Sequence, residues 1–192
     1  MRIIAGTYKG RALKSTTGPG FRPAMGKVRE ALFSMLEARG ICWPEARVLD
    51  LFAGSGSLGF EALSRGAAHV CFVESAAYAV KVIAANAELL GIEPGRVAIR
   101  REETAKALAM RPADFFDVVF IDPPYQLPVL GPTLQALNKN GWLAKSCLVN
   151  AEVEARQAFD PEKAHPALEL LADRAYGQTR VILWRKREEH GT

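Results

Sequence analysis

The sequence has few cysteines, few histidines and no long hydrophobic run. Its 192 residues contain three cysteines, Cys42, Cys71 and Cys147, an odd number at wide spacing that fits neither a disulfide framework nor a C-x-x-C metal site. The three histidines are scattered, with no cysteine or acid at ligand spacing, so we expect no metal ion. No apolar run approaches the roughly 20 residues that span a bilayer, and Met1 begins no signal-peptide core. We therefore expect a cytoplasmic protein without a membrane segment.

The composition that is present is that of an ordinary globular protein. Hydrophobic residues make up 49% and charged residues 24%, which excludes disorder and a coiled coil. Residues 1–40 carry eight Lys or Arg and two Glu, a net +6, whereas the other 152 residues carry 17 basic and 19 acidic residues, a net −2. A basic segment beside a near-neutral body is typical of a protein that binds a polyanion. A solvated surface with ordinary lysines would give the same count, so charge alone leaves both interpretations open.

Hydrophobic periodicity predicts alternating strands and helices from residue 47 onward. The predicted strands are residues 48–52, 70–73, 97–100, 118–121 and 147–153. The helices predicted between them are residues 58–65, 78–90, 104–110 and 130–138. Because these strands are apolar throughout, the pattern predicts a Rossmann-like α/β fold with a mostly parallel sheet covered on both faces. Two further extended runs, 167–175 and 179–186, predict a C-terminal antiparallel hairpin at the sheet edge.

Residues 1–40 follow a different pattern and are predicted to form a basic arm before a main domain at residues 41–192. Short extended runs at 2–5 and 11–14 predict a hairpin, and glycines and prolines predict a loop at 16–23. Apolar residues at helical spacing predict a helix at 26–38. We expect basic side chains of this arm to contact phosphates, namely Arg2, Lys9, Arg11, Lys14, Arg22 and Lys27.

A glycine-rich turn with the spacing G-x-G-x-x-G follows the first strand of the main domain. Such glycines make the turn tight and let a ligand approach the backbone. Glu74 follows the second strand, 20 residues after Gly54, where a carboxylate can accept both hydroxyls of a ribose, although an acid beside a helix N-cap is the alternative. Gly54, Ser55, Gly56 and Glu74 therefore predict a nucleoside-containing cofactor, which could be NAD or S-adenosylmethionine. Asp50 either fixes this turn or contacts an amine of the ligand.

The tetrapeptide Asp122-Pro123-Pro124-Tyr125 directly follows a predicted buried strand. Its prolines fix φ and remove backbone donors, so the neighbouring carbonyl is held rigidly. The Asp122 carboxylate and the Pro123 carbonyl form two acceptors for the N–H donors of an exocyclic amine, and Tyr125 offers a flat face to an extruded base. Methyl transfer to that amine needs only that the amine be oriented towards an electrophilic methyl group, and it needs no metal. The alternative is a plain Pro-Pro turn with a surface tyrosine.

These motifs together resemble those of the class I S-adenosylmethionine-dependent methyltransferases. Residues 50–59 and Glu74 resemble their cofactor motifs, and residues 122–125 resemble the motif of their amino-methylating branch. The basic arm narrows the resemblance to one family. Its residues 2–6 (RIIAG) and 28–33 (VREALF) are similar to the bacterial 16S rRNA (guanine(966)-N2)-methyltransferase family. So is the closing sequence YGQTR at 176–180.

The resemblance implies methyl transfer from S-adenosylmethionine to the N2 amine of one guanine in 16S rRNA, expected at position 966, with S-adenosylhomocysteine as the product. It implies a partly assembled small-subunit particle as the substrate. It also implies that Glu103 and Thr104, after the third strand, flank the adenine of the cofactor. The sequence shows no extended exposed seam that would indicate a dimer, so we expect a monomer.

Three other functions remain open on the sequence. DNA adenine-N6 and cytosine-N4 methyltransferases share the tetrapeptide, although residues 1–40 are a short segment for reading duplex sequence. An NAD-dependent oxidoreductase would use the glycine loop but has no use for residues 122–125. A non-catalytic rRNA-binding assembly factor would need only the basic arm.

Overall fold

The computed structural model describes residues 1–16, 26–124 and 128–188. Within these ranges, the helices are α1 (Gly26–Glu37), α2 (Ser57–Ser64), α3 (Ala77–Leu90), α4 (Thr104–Ala109) and α5 (Leu130–Lys139). The strands are β1 (Arg47–Leu51), β2 (His69–Glu74), β3 (Val97–Arg101), β4 (Phe116–Ile121), β5 (Leu143–Glu154), β6 (Leu168–Tyr176) and β7 (Thr179–Lys186). None of the helices in the described ranges is long and apolar enough to cross a membrane.

The seven strands form one sheet in the order β3-β2-β1-β4-β5-β7-β6. The strands from β3 to β5 in this order are parallel, and β7 runs antiparallel to both β5 and β6. The predicted Rossmann-like fold, mostly parallel with a C-terminal antiparallel hairpin, is confirmed. The strand order reverses between β1 and β4, and the crevice beyond the carboxyl ends of such strands is where open α/β sheets bind ligands.

The central strands β1, β2 and β4 are buried on both faces, which explains their continuous apolar runs. Helices α1, α2 and α3 cover one face, where the rings of Phe33, Phe60, Phe72 and Phe120 are buried. Helices α4 and α5 cover the other face. Every residue of β4 from Val118 to Ile121 is fully buried, so its side chains serve the two cores alternately.

The predicted N-terminal hairpin is present as a chain reversal with a single bridge, between Arg2 and Ala12. The Ile3 N–H donates to the Arg11 carbonyl at 3.0 Å, but no longer ladder forms. The reason is that the next two backbone N–H groups donate to a side chain of α2 instead of to a partner strand. Side chains of α1 lie in the same core as the sheet, and the boundary at residue 40 stays a prediction. The loop predicted at 16–23 lies, except for Thr16, outside the described residues.

Strand β5 begins four residues earlier than the pattern predicts. Its pairing with β4 shifts from Phe116 opposite Leu143 to Val118 opposite Leu148, so β5 contains a bulge. Ser146 in this bulge has φ of +56°, which is uncommon for a residue other than glycine. Polar residues in the bulge interrupt the apolar run, and this hid the first part of the strand.

Candidate active site

The glycine-rich turn connects the carboxyl end of β1 to the first turn of α2. Phe52, Gly54 and Gly56 have φ of +57°, +56° and +78°, and the Gly56 N–H donates to the Ala53 carbonyl at 2.7 Å. A left-handed non-glycine residue such as Phe52 costs on the order of 1–3 kcal/mol, and such strain concentrates at ligand sites. A Cβ on Gly59 would lie 2.3 Å from the Phe72 ring, so this glycine lets α2 pack closely on β2.

Two buried carboxylates hold this turn from the sheet side. Asp50, 2% exposed, accepts the Gly59 N–H at its Oδ2, at 3.0 Å. Glu74, 7% exposed, accepts the Gly54 N–H at Oε2, at 2.9 Å, and the Ala76 N–H at Oε1, at 2.8 Å. Of the two roles predicted for Asp50, the structure shows the one that fixes the turn. Each oxygen of Glu74 keeps a further lone pair with which it can accept a ribose hydroxyl.

Acidic side chains line one face of the sheet at the carboxyl ends of its central strands. The strand register aligns Asp50 of β1 with Phe72 of β2 on one side and with Phe120 of β4 on the other. Glu74 and Asp122 each follow two residues later, and alternate residues of a strand share a face. All three carboxyl groups therefore point to the side of the sheet that α2 and α3 cover.

A fourth carboxyl group, which the sequence did not suggest, completes this row on β5. The register aligns Asn150 with Phe120, so Glu152 stands beside Asp122 on the same face. Glu152 is 2% exposed. It lies between Ala151 and Val153 in the apolar part of β5, and an acid between apolar residues of a predicted buried strand is the signal that could have revealed it.

The electrostatics of the row follow from its burial. Burial raises the pKa of Asp122 to about 7. Burial also raises the pKa of Asp50 well above its usual range, and the neighbouring charges of Asp122 and Glu74 raise it further against the opposing effect of the Gly59 N–H. Negative charge is therefore unfavourable here without a cation, and a positively charged ligand group would be favoured.

The tetrapeptide begins beside the glycine-rich turn, because β4 is the neighbour of β1. The Asp122 N–H donates to the Leu51 carbonyl at 3.5 Å. Asp122 is half-buried, Pro123 is buried and Pro124 is exposed. Tyr125 lies outside the described residues. Glu74, the glycine-rich turn, Asp122 and Pro123 are thus brought to one edge of the sheet.

The turn between β3 and α4 borders the same edge. The Glu102 N–H donates to the Glu74 backbone carbonyl at 3.2 Å. Glu103 is exposed at the N-cap of α4, and Thr104 is buried in its first turn. The structure therefore brings both predicted adenine-flanking residues close to the end of β2.

Similarity to known proteins follows the fold and the site over the whole chain. The family model described as Conserved hypothetical protein 95 matches residues 1–185. The chain belongs to this family. Ribosomal RNA small subunit methyltransferase D of Escherichia coli strain K12 is 34% identical over 191 residues, which cover 100% of this chain and 92% of that protein. The predicted family resemblance is confirmed.

Solved structures agree with the family. The Escherichia coli protein yhhF superposes with a TM-score of 0.83 at 32% identity, covering 98% of this chain and 99% of that one. A ribosomal protein L11 methylase from Lactobacillus delbrueckii has the same fold, with a TM-score of 0.67 at 20% identity over 88% of this chain and 83% of that one. The fold of this Conserved hypothetical protein 95 member is therefore that of the class I methyltransferases.

The residues of this family member fit S-adenosylmethionine. Glu74 lies beside the glycine-rich turn and offers acceptors for both hydroxyls of the ribose. A dinucleotide pyrophosphate fits less well, because the Gly54 N–H that would bind it is already bonded to Glu74. Over residues 1–16, 26–124 and 128–188, no three His, Cys, Asp or Glu side chains are grouped as a metal site.

The basic arm of this family member is fixed to α2 by side chains that the sequence analysis missed. Glu61, fully buried, accepts the backbone N–H groups of Ile4 at 2.8 Å and Ala5 at 3.0 Å. Ser64 Oγ accepts the Tyr8 N–H at 2.9 Å. Both are polar residues on the buried side of an apolar helix, a signal that could have revealed them.

Asn86 of α3 connects the arm to the glycine-rich turn. Its side chain is fully buried, and its Oδ1 accepts the Lys14 N–H at 2.8 Å. Its Nδ2 donates to the carbonyls of Lys14 at 3.0 Å and Ser55 at 3.1 Å. Asn86 therefore links the backbone of the arm directly to the backbone of the glycine-rich turn, in addition to the contacts of the arm with α2.

The basic side chains predicted to contact phosphates are exposed where the structure describes them. These are Arg2, Lys9, Arg11, Lys14 and Lys27, whereas Arg22 lies outside the described residues. Arg11 donates to the Leu89 carbonyl at 2.7 Å at the end of α3, which orients it along the protein surface. Arg29, in contrast, is buried and donates to the Arg2 carbonyl at 2.6 Å, so it supports the arm from inside.

Proposed function

We propose that this chain transfers a methyl group from S-adenosylmethionine to the exocyclic N2 amine of a guanine in 16S rRNA, with guanine 966 as the expected target. The enzyme class, an rRNA methyltransferase, is confirmed by the family and by its relative named ribosomal RNA small subunit methyltransferase D. The observation that carries the finer proposal is the position of Asp122 and Pro123 at the end of β4, next to the glycine-rich turn after β1.

The cofactor supplies a methyl carbon made electrophilic by its positively charged sulfur. Gly54, Ser55 and Gly56 let it approach the backbone, and Glu74 accepts the hydroxyls of its ribose. Asp50 holds the turn in shape through the Gly59 N–H. Glu103 and Thr104 flank the adenine from the turn between β3 and α4.

Asp122 and Pro123 orient the target amine. The two N–H groups of the amine donate to the Asp122 carboxylate and the Pro123 carbonyl, which leaves the nitrogen lone pair directed at the methyl carbon. Because burial raises the pKa of Asp122 to about 7, the acceptor is ionised only as the pH rises through that value. Pro124 keeps the backbone rigid, and Tyr125 stacks on the extruded base.

The basic arm binds the RNA backbone. Arg2, Lys9, Arg11, Lys14, Arg22 and Lys27 contact phosphates, and we propose a partly assembled small-subunit particle as the substrate of a monomeric enzyme. The bonds that the backbone of residues 4–14 donates to Glu61, Ser64 and Asn86 hold the part of the arm that carries Lys9, Arg11 and Lys14 against α2 and α3.

The deciding experiment is mass spectrometry of 16S rRNA nucleosides from cells with and without the gene, followed by in vitro methylation. We expect N2-methylguanosine to be lost from the rRNA of cells without the gene and to be restored when that rRNA is incubated with the protein. Methylated adenine or cytosine in DNA would instead support an amino-methyltransferase of DNA, and RNA binding without methyl transfer would support an assembly factor. A larger thermal shift with NAD than with S-adenosylhomocysteine would contradict the cofactor assignment.

The roles of individual residues are tested separately by Asp122→Ala. We expect this variant to lose methyl transfer while calorimetry shows nearly unchanged binding of S-adenosylmethionine, because Asp122 contacts the amine. Loss of cofactor binding would contradict that division of roles. Glu154→Ala is the matched control, since Glu154 is an acid of β5 beyond the buried row.

A further inference from the structure

Glu152 is a buried acid that the mechanism above does not use. It lies on β5, where the neighbouring pair Ile121 and Ala151 is in register, so Glu152 and Asp122 are adjacent on one face. Its Oε1 has no hydrogen-bond partner among the residues that the structure describes. An unpaired buried carboxylate is costly, so this group must either lose its charge or share a proton.

The charged groups around Glu152 come from three elements. Asp122 and Asp50 face it from β4 and β1, and Arg29 faces it from α1. Arg29 is itself close to another buried acid, with its Nε 3.8 Å from Glu61 Oε2. Glu61 is also contacted by Arg65 Nε, at 3.0 Å. Among the residues that the structure describes, Arg29 forms no ion pair with Glu152, so its charge compensates that of Glu152 only in part.

Resting on the proposed function, we propose that Glu152 is a positioning residue that keeps its proton and donates a hydrogen bond to the Asp122 carboxylate. This bond occupies one oxygen of Asp122 and leaves the other directed at the amine. The pair then carries a single negative charge, which is less costly in a buried site than two adjacent negative charges. The direction of the Glu152 pKa agrees, because burial and then the Asp122 charge raise it against the effect of Arg29.

The arrangement also gives the reaction its proton acceptor. As the N–C bond forms and the S–C bond breaks, the positive charge moves from sulfur to the amine nitrogen. One N–H proton then passes to the free oxygen of Asp122, leaving a neutral secondary amine and a neutral thioether. Asp122 is half-buried and returns the proton to water, while Glu152 keeps its own proton throughout.

Carboxyl ¹³C NMR of the cofactor-free protein tests this directly, with Asp122→Asn and Glu152→Gln used for assignment. We expect the Glu152 carboxyl to be protonated at pH 7. In Glu152→Gln, whose amide donates as the protonated acid does, the Asp122 titration midpoint should move by less than half a unit. In Glu152→Leu, which has no donor, the midpoint should rise by about one unit or more. Glu154→Gln is the control and should leave the midpoint unchanged.

An ionised Glu152 paired with Arg29 would give the opposite pattern. Glu152→Gln would then remove a negative neighbour and lower the Asp122 midpoint by a unit or more, which would overturn the proposal. The pH dependence of kcat provides a second readout, and its acidic limb should follow the NMR midpoint in each variant. If the wild type failed to methylate guanine, the proposed function would fail, whereas the titration would still decide whether Glu152 donates to Asp122.

Discussion

The attachment of the basic arm to α2 depends on the absence of a side chain at Gly6. Gly6 and Gly10 both have φ of +81°, so alanine is strained equally at either position. A Cβ at Gly6 would lie 1.8 Å from the Ser64 carbonyl oxygen, whereas a Cβ at Gly10 meets nothing within 4 Å. Gly6→Ala and Gly10→Ala therefore differ only in whether the arm can stay docked.

The size of the difference follows from the bonds that must break. The left-handed conformation costs alanine about 1–2 kcal/mol at either position. In Gly6→Ala the arm must also move away from α2. This movement breaks the hydrogen bonds that the Thr7 and Tyr8 N–H groups donate to Ser64 and those that the Ile4 and Ala5 N–H groups donate to Glu61. Four such bonds at roughly 0.5–1.5 kcal/mol each give an additional loss of about 2–6 kcal/mol.

Urea unfolding of the two variants measures this difference, and RNA binding measures its functional consequence. We expect Gly6→Ala to be less stable than Gly10→Ala by about 4 kcal/mol, the middle of the range set by the broken hydrogen bonds. We also expect Gly6→Ala to bind rRNA more weakly, with a shallower salt dependence, because the displaced arm contacts fewer phosphates. Equal stabilities of the two variants, or normal RNA binding by Gly6→Ala, would refute the docking described above.

Three further changes test the site and the arm. Asp122→Asn should raise the free energy of unfolding at pH 8 by on the order of 1–3 kcal/mol, less than the full value of the shift because Asp122 is only half-buried. The sign follows from the raised pKa of Asp122. A neutral Asp122 carboxyl stabilises the fold fully below about pH 4, and this stabilisation is lost as the pH rises through about 7. An Asp122→Asn variant that is less stable than the wild type at pH 8 would contradict this prediction. Asn86→Leu should weaken S-adenosylmethionine binding at least tenfold in calorimetry and weaken RNA binding too, because Ser55 loses a donor, whereas the exposed Glu88→Gln should change neither. Lys9→Ala should weaken RNA binding and lower the salt slope by about 0.7–0.9, and an unchanged slope would remove Lys9 from the phosphate contacts.

The strands and helices of the sheet were predictable because each is a local pattern. Runs such as 118–121 are apolar on both faces, and only a strand covered by helices on both sides buries such a run. The predicted cofactor residues come to one edge for the same reason, since parallel strands share the direction of their carboxyl ends. The bulge in β5 was not predictable, because Lys145 and Ser146 read as the polar end of a loop.

The contacts that complete the site were not predictable because they join distant parts of the chain. Glu61 binds Ile4, 57 residues away, and Asn86 binds Lys14, 72 residues away. Periodicity shows that such polar residues are buried but does not show with what they pair. The same limit applies to Glu152, whose neighbour Asp122 is identified only by the order of the strands.

The order of the last strands has a consequence for how the protein is made on the ribosome. Strand β7 lies between β5 and β6, although β6 comes before it in the chain. A nascent chain that has emerged only as far as Tyr176 therefore contains β6 but not β7, the strand with which β6 pairs. Until β7 emerges, β5 is an unpaired edge strand of the sheet. An unpaired edge strand can pair with another chain and aggregate, so the protein most needs protection from aggregation in the interval before β7 emerges.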